Sequence, residues 1–301
     1  MLIDAVQSYL ALRRACGFKL RYQEYRLRHF AQFSMARGKT YVCSQTAIEW
    51  AALARSVEQR KRRLRDVIQF ARHVRAENPL HELPRAAFGR SSWRRPTPYI
   101  YSREEIERLI RSAREHGCSD QKDTYGTLFA LIACTGLRVS EALQLRLSDL
   151  TLDGLVIRSS KFRKTRLVPL HDSARTALKR FIERRRGSAQ ADDPVFVSAT
   201  CSPLPLWEVE HMFHVTATKA GLPRGPSRPR ATLHGLRHTF AVRALESCPD
   251  GRNRITQHMV ALSTYLGHAK LAGTYWYLEA TPLLMRDIAE RFERFAIGER
   301  S

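Results

Sequence analysis

Four segments of the sequence carry side chains suited to chemistry on a phosphate group. They are Thr135-Gly136-Leu137-Arg138-Val139-Ser140-Glu141, the basic stretch Lys161–Leu170, Leu233-His234-Gly235-Leu236-Arg237-His238-Thr239-Phe240, and Leu266-Gly267-His268 with Tyr277 nine residues on. Phosphoryl transfer needs cations around the equatorial oxygens, a proton donor for the leaving oxygen and a nucleophile in line with it. The four segments contain a residue type for each of these tasks.

No motif for a nucleotide or a metal accompanies them. The sequence lacks G-x-x-x-x-G-K-[ST], H-E-x-x-H and any dense Asp/Glu cluster, and its six cysteines lie far apart with no C-x-x-C. We therefore predict that the reaction uses no metal and no cofactor, so that side chains alone must carry it. The scattered cysteines fit a reducing cytoplasm rather than a disulfide framework.

His234 and Arg237 have the spacing of a common helical face. Residues three apart on a helical turn project to the same side, as two ligands of one phosphate require. The planar guanidinium of Arg237 suits bidentate contact with phosphate oxygens, which a lysine would not reproduce. His238 is expected to point elsewhere and to make a structural hydrogen bond.

In their order and approximate spacing, the four segments resemble the tyrosine recombinase (phage integrase) family. On that resemblance Arg138 is the first catalytic arginine and grips a non-bridging phosphate oxygen, with Glu141 as its orienting partner. Arg237 is the second arginine, His268 stands at the His-or-Trp position that hydrogen-bonds the phosphate, and Tyr277 is the nucleophile. The resemblance implies a 3′-phosphotyrosyl intermediate with a free 5′ hydroxyl, which is resealed without ATP.

The same resemblance, which extends over roughly residues 102–296, places the catalytic lysine in a basic hairpin. Lys161 is protonated at neutral pH (reference pKa ~10.4) and would donate a proton to the departing 5′ oxygen. Relatives often have glycines on both sides of this lysine, whereas this chain has Ser160-Lys161-Phe162-Arg163-Lys164. Lys164 therefore stays an alternative, and so does a hairpin that only contacts the DNA backbone.

A tyrosine nucleophile needs surroundings that favour its phenolate. A free phenol has a pKa of ~10, and lowering that pKa by three units corresponds to ~4 kcal/mol. Cationic side chains around Tyr277 would supply this stabilisation, and His234 is our candidate for the proton acceptor. Tyr265 and Tyr275 are near enough in sequence to need exclusion as nucleophiles.

The elements that position these residues are predicted to be mostly helices. Ser102 and Glu105 form a capping box that opens a helix over about 103–115, and Gly136 ends an apolar helix over about 124–134. The remaining elements are a hairpin of Leu155–Arg158 and Arg166–Leu170, a short strand at Val195–Ser198, and helices over about 172–186, 204–220, 239–247, 256–265 and 281–296. The last helix has a broad apolar face that packs within the chain or docks onto a neighbouring subunit.

The N-terminal third is predicted to form four amphipathic helices. They cover about 2–16 and 20–37, a third helix opened by a capping box of Thr46 and Glu49, and a fourth over about 56–77. The side chains expected in their core are Tyr22, Tyr25, Phe30 and Phe33. Four prolines then mark an extended basic linker over about 79–101, which separates a domain of residues 1–95 from one of residues 102–301.

The charge of the chain points to a polyanionic partner. The formal net charge is +22, and residues 1–95 hold 20 Lys and Arg against 7 Asp and Glu, whereas residues 96–301 hold 31 against 22. Solubility needs a net charge of only ~2–8 in magnitude, so we favour nucleic acid. The predicted DNA contacts are Arg60, Lys61, Arg62, Arg63 and Arg65 of the fourth helix, Arg94 and Arg95 of the linker, and Arg163 and Lys164 of the hairpin.

Together these features predict a mainly α protein with a small antiparallel sheet. The resemblance implies a helical core-binding (SAM-like) domain followed by a catalytic domain, which act on double-stranded DNA as a homo-tetramer on paired sites. Off DNA the chain can be a monomer, and it acts alone or with other recombinases. We favour integration, excision or transposition of a mobile element, with chromosome dimer resolution as the alternative setting. With no signal peptide and no apolar run of ~18 residues, we expect a cytoplasmic protein that works on the nucleoid and not at a membrane.

Two alternatives from other functional classes stay open at this point. A DNA-binding regulator would keep the fold without turnover and would lack catalytic groups. A type IB-like topoisomerase would relax supercoils without pairing sites.

Overall fold

The computed structural model describes residues 2–89, 97–115, 122–158, 165–184, 190–223, 229–247, 255–268, 273, 274 and 277. The chain separates into two compact units, Met1–Arg95 and Pro96–Ser301. The first unit contains α1 (Leu2–Ala15), α2 (Arg21–Met35), α3 (Ser44–Ala52) and α4 (Val57–Glu77). The described part of the second contains α5 (Arg103–Glu115), α6 (Lys122–Thr135), α7 (Val139–Leu143), a 3-10 turn (Leu147–Asp149), β1 (Leu155–Ile157), β2 (Arg166–Val168), α8 (Asp172–Arg184), α9 (Leu206–Lys219), α10 (Leu233–Glu246) and α11 (Ile255–Leu266).

The four helices of the first unit share one core of aliphatic and aromatic side chains. Phe30 of α2 lies edge-on to Trp50 of α3, with ring centroids 5.4 Å apart. Tyr9 of α1 meets Phe70 of α4 in the same way at 5.6 Å. Because each of these rings is buried, the aromatic contacts fix the helices to one another in pairs.

The prediction for the buried face of α2 is partly wrong. Tyr22 and Tyr25, which were predicted to lie in the core, are 75 % and 70 % exposed. The helix instead buries the face that carries Leu27 and Phe30, with Phe33 half-buried against the same cluster. Aromatic content alone therefore did not identify the inner face of this helix.

The start of α3 also differs from the prediction. The helix begins at Ser44, so Thr46 lies inside its first turn, buried, and does not cap it. The backbone N–H of Ser44 donates to Oε2 of Glu82 at 2.7 Å. A carboxylate from a distant segment thus satisfies one of the free donors at the helix N-terminus, which removes the need for a local cap.

The second unit opens as predicted with a reciprocal capping box. The backbone N–H of Ser102 donates to Oε2 of Glu105 at 2.9 Å, and the backbone N–H of Glu105 donates to Oγ of Ser102 at 3.2 Å. At the other end of the α5–α6 pair, α6 stops before Gly136, which has a φ of +62°. A side chain at Gly136 would lie 2.5 Å from Cδ1 of Phe240, so both the backbone conformation and the close contact require glycine.

The predicted hairpin is present, and β1 and β2 pair in antiparallel register with Leu155 opposite Val168. The predicted strand at Val195–Ser198 is wrong. This stretch forms isolated bridges, Arg146 with Pro194 and Val197 with Pro203. Each bridge includes a proline, which has no backbone N–H to donate and so removes one ladder hydrogen bond.

Helix α10 begins six residues earlier than the predicted start at 239. Thr232 caps it, because its Oγ1 accepts a hydrogen bond from the backbone N–H of Gly235 at 3.0 Å. The cap places His234 and Arg237 among the first five residues of the helix. Their side chains are therefore held by regular backbone rather than by a loop.

Within the described residues the fold is mostly helical with one two-stranded antiparallel sheet, as the sequence predicts. The large core of the second unit includes Phe129 of α6 edge-on to Phe213 of α9. A smaller cluster joins α10 and α11 and includes the ring of Tyr277. None of the helices in the described ranges combines the length and apolar character that a membrane span needs.

Candidate active site

Arg138 lies directly after the turn at Gly136 and caps α7. Its backbone N–H donates to Oε2 of Glu141 at 3.0 Å, and its Nη1 donates to Oε1 of the same residue at 2.6 Å. Its second terminal nitrogen, Nη2, donates to the carbonyl oxygen of Gly267 at 3.2 Å. The side chain is still 24 % exposed, so the guanidinium is held in place yet open to solvent on one side.

Arg237 is the fifth residue of α10 and is only 1 % exposed. Nη1 donates to the carbonyl oxygen of Gly136 at 2.7 Å, while Nη2 donates to that of Leu266 at 2.7 Å and to Nε2 of His268 at 3.2 Å. Burial, and next the charge of Arg138, lower the pKa of Arg237 to about 10. The side chain is therefore still a cation at neutral pH.

Three consecutive carbonyl groups at the end of α11, those of residues 265–267, each accept a hydrogen bond from a different arginine. The donors are Nε of Arg166 at 2.7 Å, Nη2 of Arg237 at 2.7 Å and Nη2 of Arg138 at 3.2 Å, in that order. The last carbonyls of a helix lack partners inside it and form the negative end of its dipole. The end of α11 thus gathers three guanidinium groups around one point.

Glu141 is the carboxylate among these three cations. Arg166 binds it with both terminal nitrogens, Nη1 to Oε1 at 3.1 Å and Nη2 to Oε2 at 2.9 Å, and Nη1 of Arg237 lies 3.9 Å from Oε2. Burial acts to raise the pKa of Glu141, but the hydrogen bonds from Arg166 and from the Arg138 backbone outweigh it and lower the pKa to about 2. An acid that is ionised throughout the neutral range suits an orienting role and not proton donation.

Arg166 was not singled out from the sequence, although it belongs to this cluster. Its partner Glu141 is 25 residues away and its other partner, the Tyr265 carbonyl, is 99 residues away. Strand alternation was the available signal. In β2, Arg166 falls on the same side as Val168, which is fully buried, so its charge had to be matched inside the protein.

His268 follows α11 and is half-buried. Its Nε2 accepts from Arg237, and its Nδ1 lies 2.8 Å from Oγ1 of the buried Thr274. Burial, and then the charge of Arg237, lower the pKa of His268 to about 4. At neutral pH the ring is therefore uncharged and carries its proton on Nδ1, which donates to Thr274.

Tyr277 lies beside this cluster and is 2 % exposed. Its ring is nearly parallel to that of His268, at an angle of 18° with centroids 6.0 Å apart. The phenol also interacts electrostatically with Arg237. The structure thus brings Arg138, Arg237, His268 and Tyr277 together, although they span 140 positions of the sequence.

The prediction that His238 points away from the site is wrong. Its ring lies 5.4 Å from the ring of Tyr277 and 4.3 Å from that of His234, edge to face. Residues 234 and 238 are four apart on α10 and share a face for that reason. His234 itself is exposed.

Tyr265 does not resemble a nucleophile in its surroundings. Its ring stacks on Phe240 with centroids 5.4 Å apart at an angle of 19°, and burial raises the pKa of its hydroxyl to about 12.

Several predicted site residues lie outside the described residues, namely Lys161, Arg163 and Lys164 of the hairpin, Arg94 and Arg95 of the linker, Tyr275, and the helix predicted over 281–296.

In the first unit, the arginines predicted to contact DNA fall into two groups. Arg62 and Arg65 of α4 are exposed, whereas Lys61 is half-buried. Arg60 donates from Nε to the carbonyl of Ala54 at 2.8 Å, and the guanidinium of Arg63 lies over the ring of Trp50 at 5.2 Å. Arg60 and Arg63 thus also make structural contacts within the first unit.

No group of three or more His, Cys, Asp or Glu side chains within the described ranges could hold a metal ion.

Comparison with known proteins places these residues in a family context. The family model described as the phage integrase family matches residues 101–282, which include all the site residues named above in the second unit. A putative integrase/recombinase y4rB from Sinorhizobium fredii is 35 % identical over 303 residues, which cover 97 % of this chain and 96 % of the relative. The tyrosine recombinase XerD from Caulobacter vibrioides is 34 % identical over 222 residues, which cover 72 % of this chain and 68 % of the relative.

Similarity extends to solved structures. A lambda integrase tetramer bound to a Holliday junction superposes with a TM-score of 0.64 at 17 % identity, covering 89 % of this chain and 77 % of the other. At that identity the superposition shows a shared fold. Together with the family match and the relatives that align along most of their length, it establishes that this chain belongs to the phage integrase family of tyrosine recombinases.

Proposed function

We propose that this protein is a site-specific recombinase that cleaves and rejoins double-stranded DNA through a 3′-phosphotyrosyl intermediate, without a metal ion or ATP. One observation carries the proposal. Arg138, Arg237 and His268 form a single hydrogen-bonded cluster, and Tyr277 packs against it with its ring 6.0 Å from that of His268. Membership of the phage integrase family supports the same activity.

In the cleavage step Oη of Tyr277 attacks the phosphorus, an Oη–P bond forms, and the bond from phosphorus to the 5′ oxygen breaks. The phenolic proton passes to His234, and Lys161 donates a proton to the departing 5′ oxygen. The reverse step, with a 5′ hydroxyl of another strand as nucleophile, releases the tyrosine. One phosphodiester bond is exchanged for another, so the cycle needs no external energy source.

The arginines stabilise the charge that develops on the phosphate. Three guanidinium groups and the Glu141 carboxylate leave the cluster with a surplus of positive charge, and these groups are already fixed by hydrogen bonds before DNA binds. Preorganised cations are most effective where negative charge accumulates in the transition state. When a phosphate replaces Arg237 at Nε2, neutral His268 carries its proton on Nε2 instead of Nδ1 and donates it in a hydrogen bond to the phosphate, while the Thr274 hydroxyl donates to Nδ1.

The active residues are not yet open to a DNA phosphate in this arrangement. Tyr277 is 2 % exposed and Arg237 is 1 % exposed. A phosphate that binds both must displace neighbouring groups, and the bond from Arg237 to His268 is the contact that it would replace. We therefore expect the site to rearrange when DNA binds.

We expect two domains, residues 1–95 and 102–301 with a linker over about 79–101, that each bind the duplex, and the strongly basic first domain supplies backbone contacts. Exchange between two duplexes requires four cleavages, so we propose a homo-tetramer on paired sites, assembled from monomers. The lambda integrase tetramer on a Holliday junction supports this assembly. The integrase/recombinase relatives favour the integration, excision or transposition of a mobile element, on the nucleoid in the cytoplasm.

The decisive experiment traps the protein on a nicked suicide substrate, whose short 5′ fragment diffuses away after cleavage. Wild-type protein should accumulate as a covalent adduct, and Tyr277→Phe should form none. Tyr275→Phe and Tyr265→Phe are matched controls that should still react. An undiminished adduct with Tyr277→Phe would reject the nucleophile assignment.

The same protein preparation distinguishes the other functional classes. A type IB-like topoisomerase would relax supercoiled plasmids whether or not they contain a recombination site. A regulator without turnover would bind DNA and give no adduct. The recombinase should join two sites, and only when both are present.

A further inference from the structure

Arg166 emerges from β2 and uses every nitrogen of its guanidinium within the protein. Nη1 and Nη2 donate to the two oxygens of Glu141, and Nε donates to the carbonyl of Tyr265. Its side chain is 11 % exposed. Three of its five N–H groups, one on each nitrogen, are thus used within the protein, on Glu141 and on the end of α11.

The bidentate contact fixes the plane of the Glu141 carboxylate. The same two oxygens accept hydrogen bonds from the side chain and the backbone of Arg138. The orientation of the Arg138 guanidinium therefore depends on Arg166 through one shared carboxylate. A planar fork can impose such an orientation, whereas a lysine ammonium supplies the charge without the geometry.

The hydrogen bond from Arg166 to the Tyr265 carbonyl fixes the end of α11, which carries the other contacts of the site. The next two carbonyls, of Leu266 and Gly267, hold Arg237 and Arg138, and His268 follows immediately. Gly267 has a φ of +66°, and a side chain on it would lie 2.9 Å from Nη1 of Arg166. Arg166 thus packs directly against the turn that delivers His268.

We propose that Arg166 is a positioning residue for strand transfer, which acts through Glu141 and the Tyr265 carbonyl to align Arg138 and His268 around the shared phosphate. This inference rests on the proposed function. It adds the strand β2 to α7, α10 and the end of α11 as an element that must be in register for cleavage. Displacements of about 1 Å in such a site cost up to ~100-fold in rate, so the effect is large enough to measure.

The experiment compares Arg166→Gln and Arg166→Lys with wild type in single-turnover cleavage of the nicked substrate. Arg158→Ala is the matched control, because Arg158 directly follows the neighbouring strand β1 and pairs with the buried Asp149 instead of Glu141. We expect Arg166→Gln to lower the cleavage rate roughly 10- to 100-fold at saturating protein, with DNA affinity within about 3-fold of wild type. Arg158→Ala should cleave at close to the wild-type rate even if it lowers the melting temperature.

The pH dependence of cleavage separates positioning from a general loss of stability. Glu141 faces Arg138, Arg166 and Arg237, and loss of the Arg166 hydrogen bonds should raise the pKa of its carboxyl. The charge of Arg166 also lowers the pKa of His268, so its removal should raise that pKa as well. The acid limb of the cleavage profile of Arg166→Gln should then move to higher pH. Arg166→Lys, which retains the charge, should restore the acid limb toward wild type while its maximal rate stays low.

Two results would overturn the inference while leaving the proposed function intact. One is wild-type cleavage by Arg166→Gln. The other is a cleavage rate that falls only in proportion to the melting temperature, in Arg166→Gln and in Arg158→Ala alike, while the acid limb of the pH profile stays where it is in wild type. If wild-type protein forms no adduct and Tyr277→Phe is indistinguishable from it, the proposed function fails, and the role of Arg166 fails with it.

Discussion

Nη2 of Arg237 donates a hydrogen bond to Nε2 of His268 across 3.2 Å, which ties the second arginine of the cluster to the ring that precedes the tyrosine. The contact requires an uncharged imidazole, since a protonated ring has no acceptor. The hydrogen bond between Arg237 and His268 is therefore lost when His268 is protonated at low pH.

The first prediction concerns stability against pH. The pKa of His268 is about 4 in the folded chain against ~6.5 for an unperturbed histidine, so the unfolded chain takes up a proton first as the pH falls. This contribution to the free energy of unfolding is complete above about pH 6.5 and is lost as the pH falls from there to about 4. Urea unfolding of His268→Gln between pH 4 and 7 should show a shallower pH dependence than wild type. Replacement of the exposed His211 is the control, and equal slopes for wild type and His268→Gln would contradict the prediction.

The second prediction concerns the carboxylate that three arginines share. Glu141→Gln leaves buried guanidinium groups without their counter-charge, which typically costs ~3–5 kcal/mol of unfolding free energy. Cleavage should fall with it, because Arg138 loses its orientation. Asp123→Asn removes the carboxylate of a largely exposed pair with Arg184 and should cost less than ~1 kcal/mol. A similar loss for both variants in urea unfolding would contradict this account.

The third prediction uses two glycines with nearly the same backbone conformation. Gly267 and Gly221 have φ of +66° and +67°, but a side chain at Gly221 would meet nothing within 4 Å. Gly221→Ala should cost only the strain of the left-handed conformation, ~1–2 kcal/mol. Gly267→Ala should cost ~1–3 kcal/mol more, because Arg166 must give up bonds to make room, and it should also slow cleavage. Equal destabilisation of the two variants would show that the Arg166 contact is unimportant.

The fourth prediction decides between Lys161 and Lys164 as the proton donor. A substrate with sulfur in place of the bridging 5′ oxygen releases a thiolate, which needs no proton because thiols have a pKa near ~8.5. Lys161→Ala should cleave the ordinary substrate ~100-fold or more slowly and recover on the sulfur substrate. Lys164→Ala should respond equally to both substrates. The opposite pattern would reassign the donor to Lys164.

The fifth prediction concerns the basic helix of the first unit. Each phosphate contact contributes about one unit to the slope of log affinity against log salt. Arg62→Gln, at an exposed position of α4, should lower the magnitude of this slope by about one without changing the melting temperature. Arg60→Gln should lower the melting temperature, because its bond to the Ala54 carbonyl is lost. An unchanged slope for Arg62→Gln would remove that residue from the DNA contacts.

Local patterns in the sequence predict much of this fold. The Ser102–Glu105 capping box, the glycine stop at Gly136 and the hairpin strands follow from interactions within a few residues, and each appears in the structure. A local pattern fails to predict the structure where a residue distant in sequence makes the hydrogen bond instead. Glu82 caps α3 from another segment, so the capping box expected at Thr46 is absent.

For the site, ordered motifs identify the side chains but not the bonds between them. The sequence suggests that Arg237 and Tyr277 face one phosphate, yet it gives no sign that Arg237 is buried and bonded to backbone carbonyls. Arg166 escaped notice because its partners are remote in the chain. The orientation of His238 follows from its four-residue spacing from His234 on α10 and not from its adjacency to Arg237.

The bonds of Arg237 to the carbonyls of Gly136 and Leu266 have a consequence for how such a protein can lose its activity. Substitution of this arginine removes a cross-link between three helix termini, so an inactive variant made there will also be a poorly folded one, which cellular proteases degrade. Tyr277→Phe keeps the buried aromatic ring that packs in the cluster joining α10 and α11. In a mixed population of chains, Tyr277→Phe should therefore persist and occupy wild-type assemblies as a dominant inhibitor, whereas Arg237 variants should disappear.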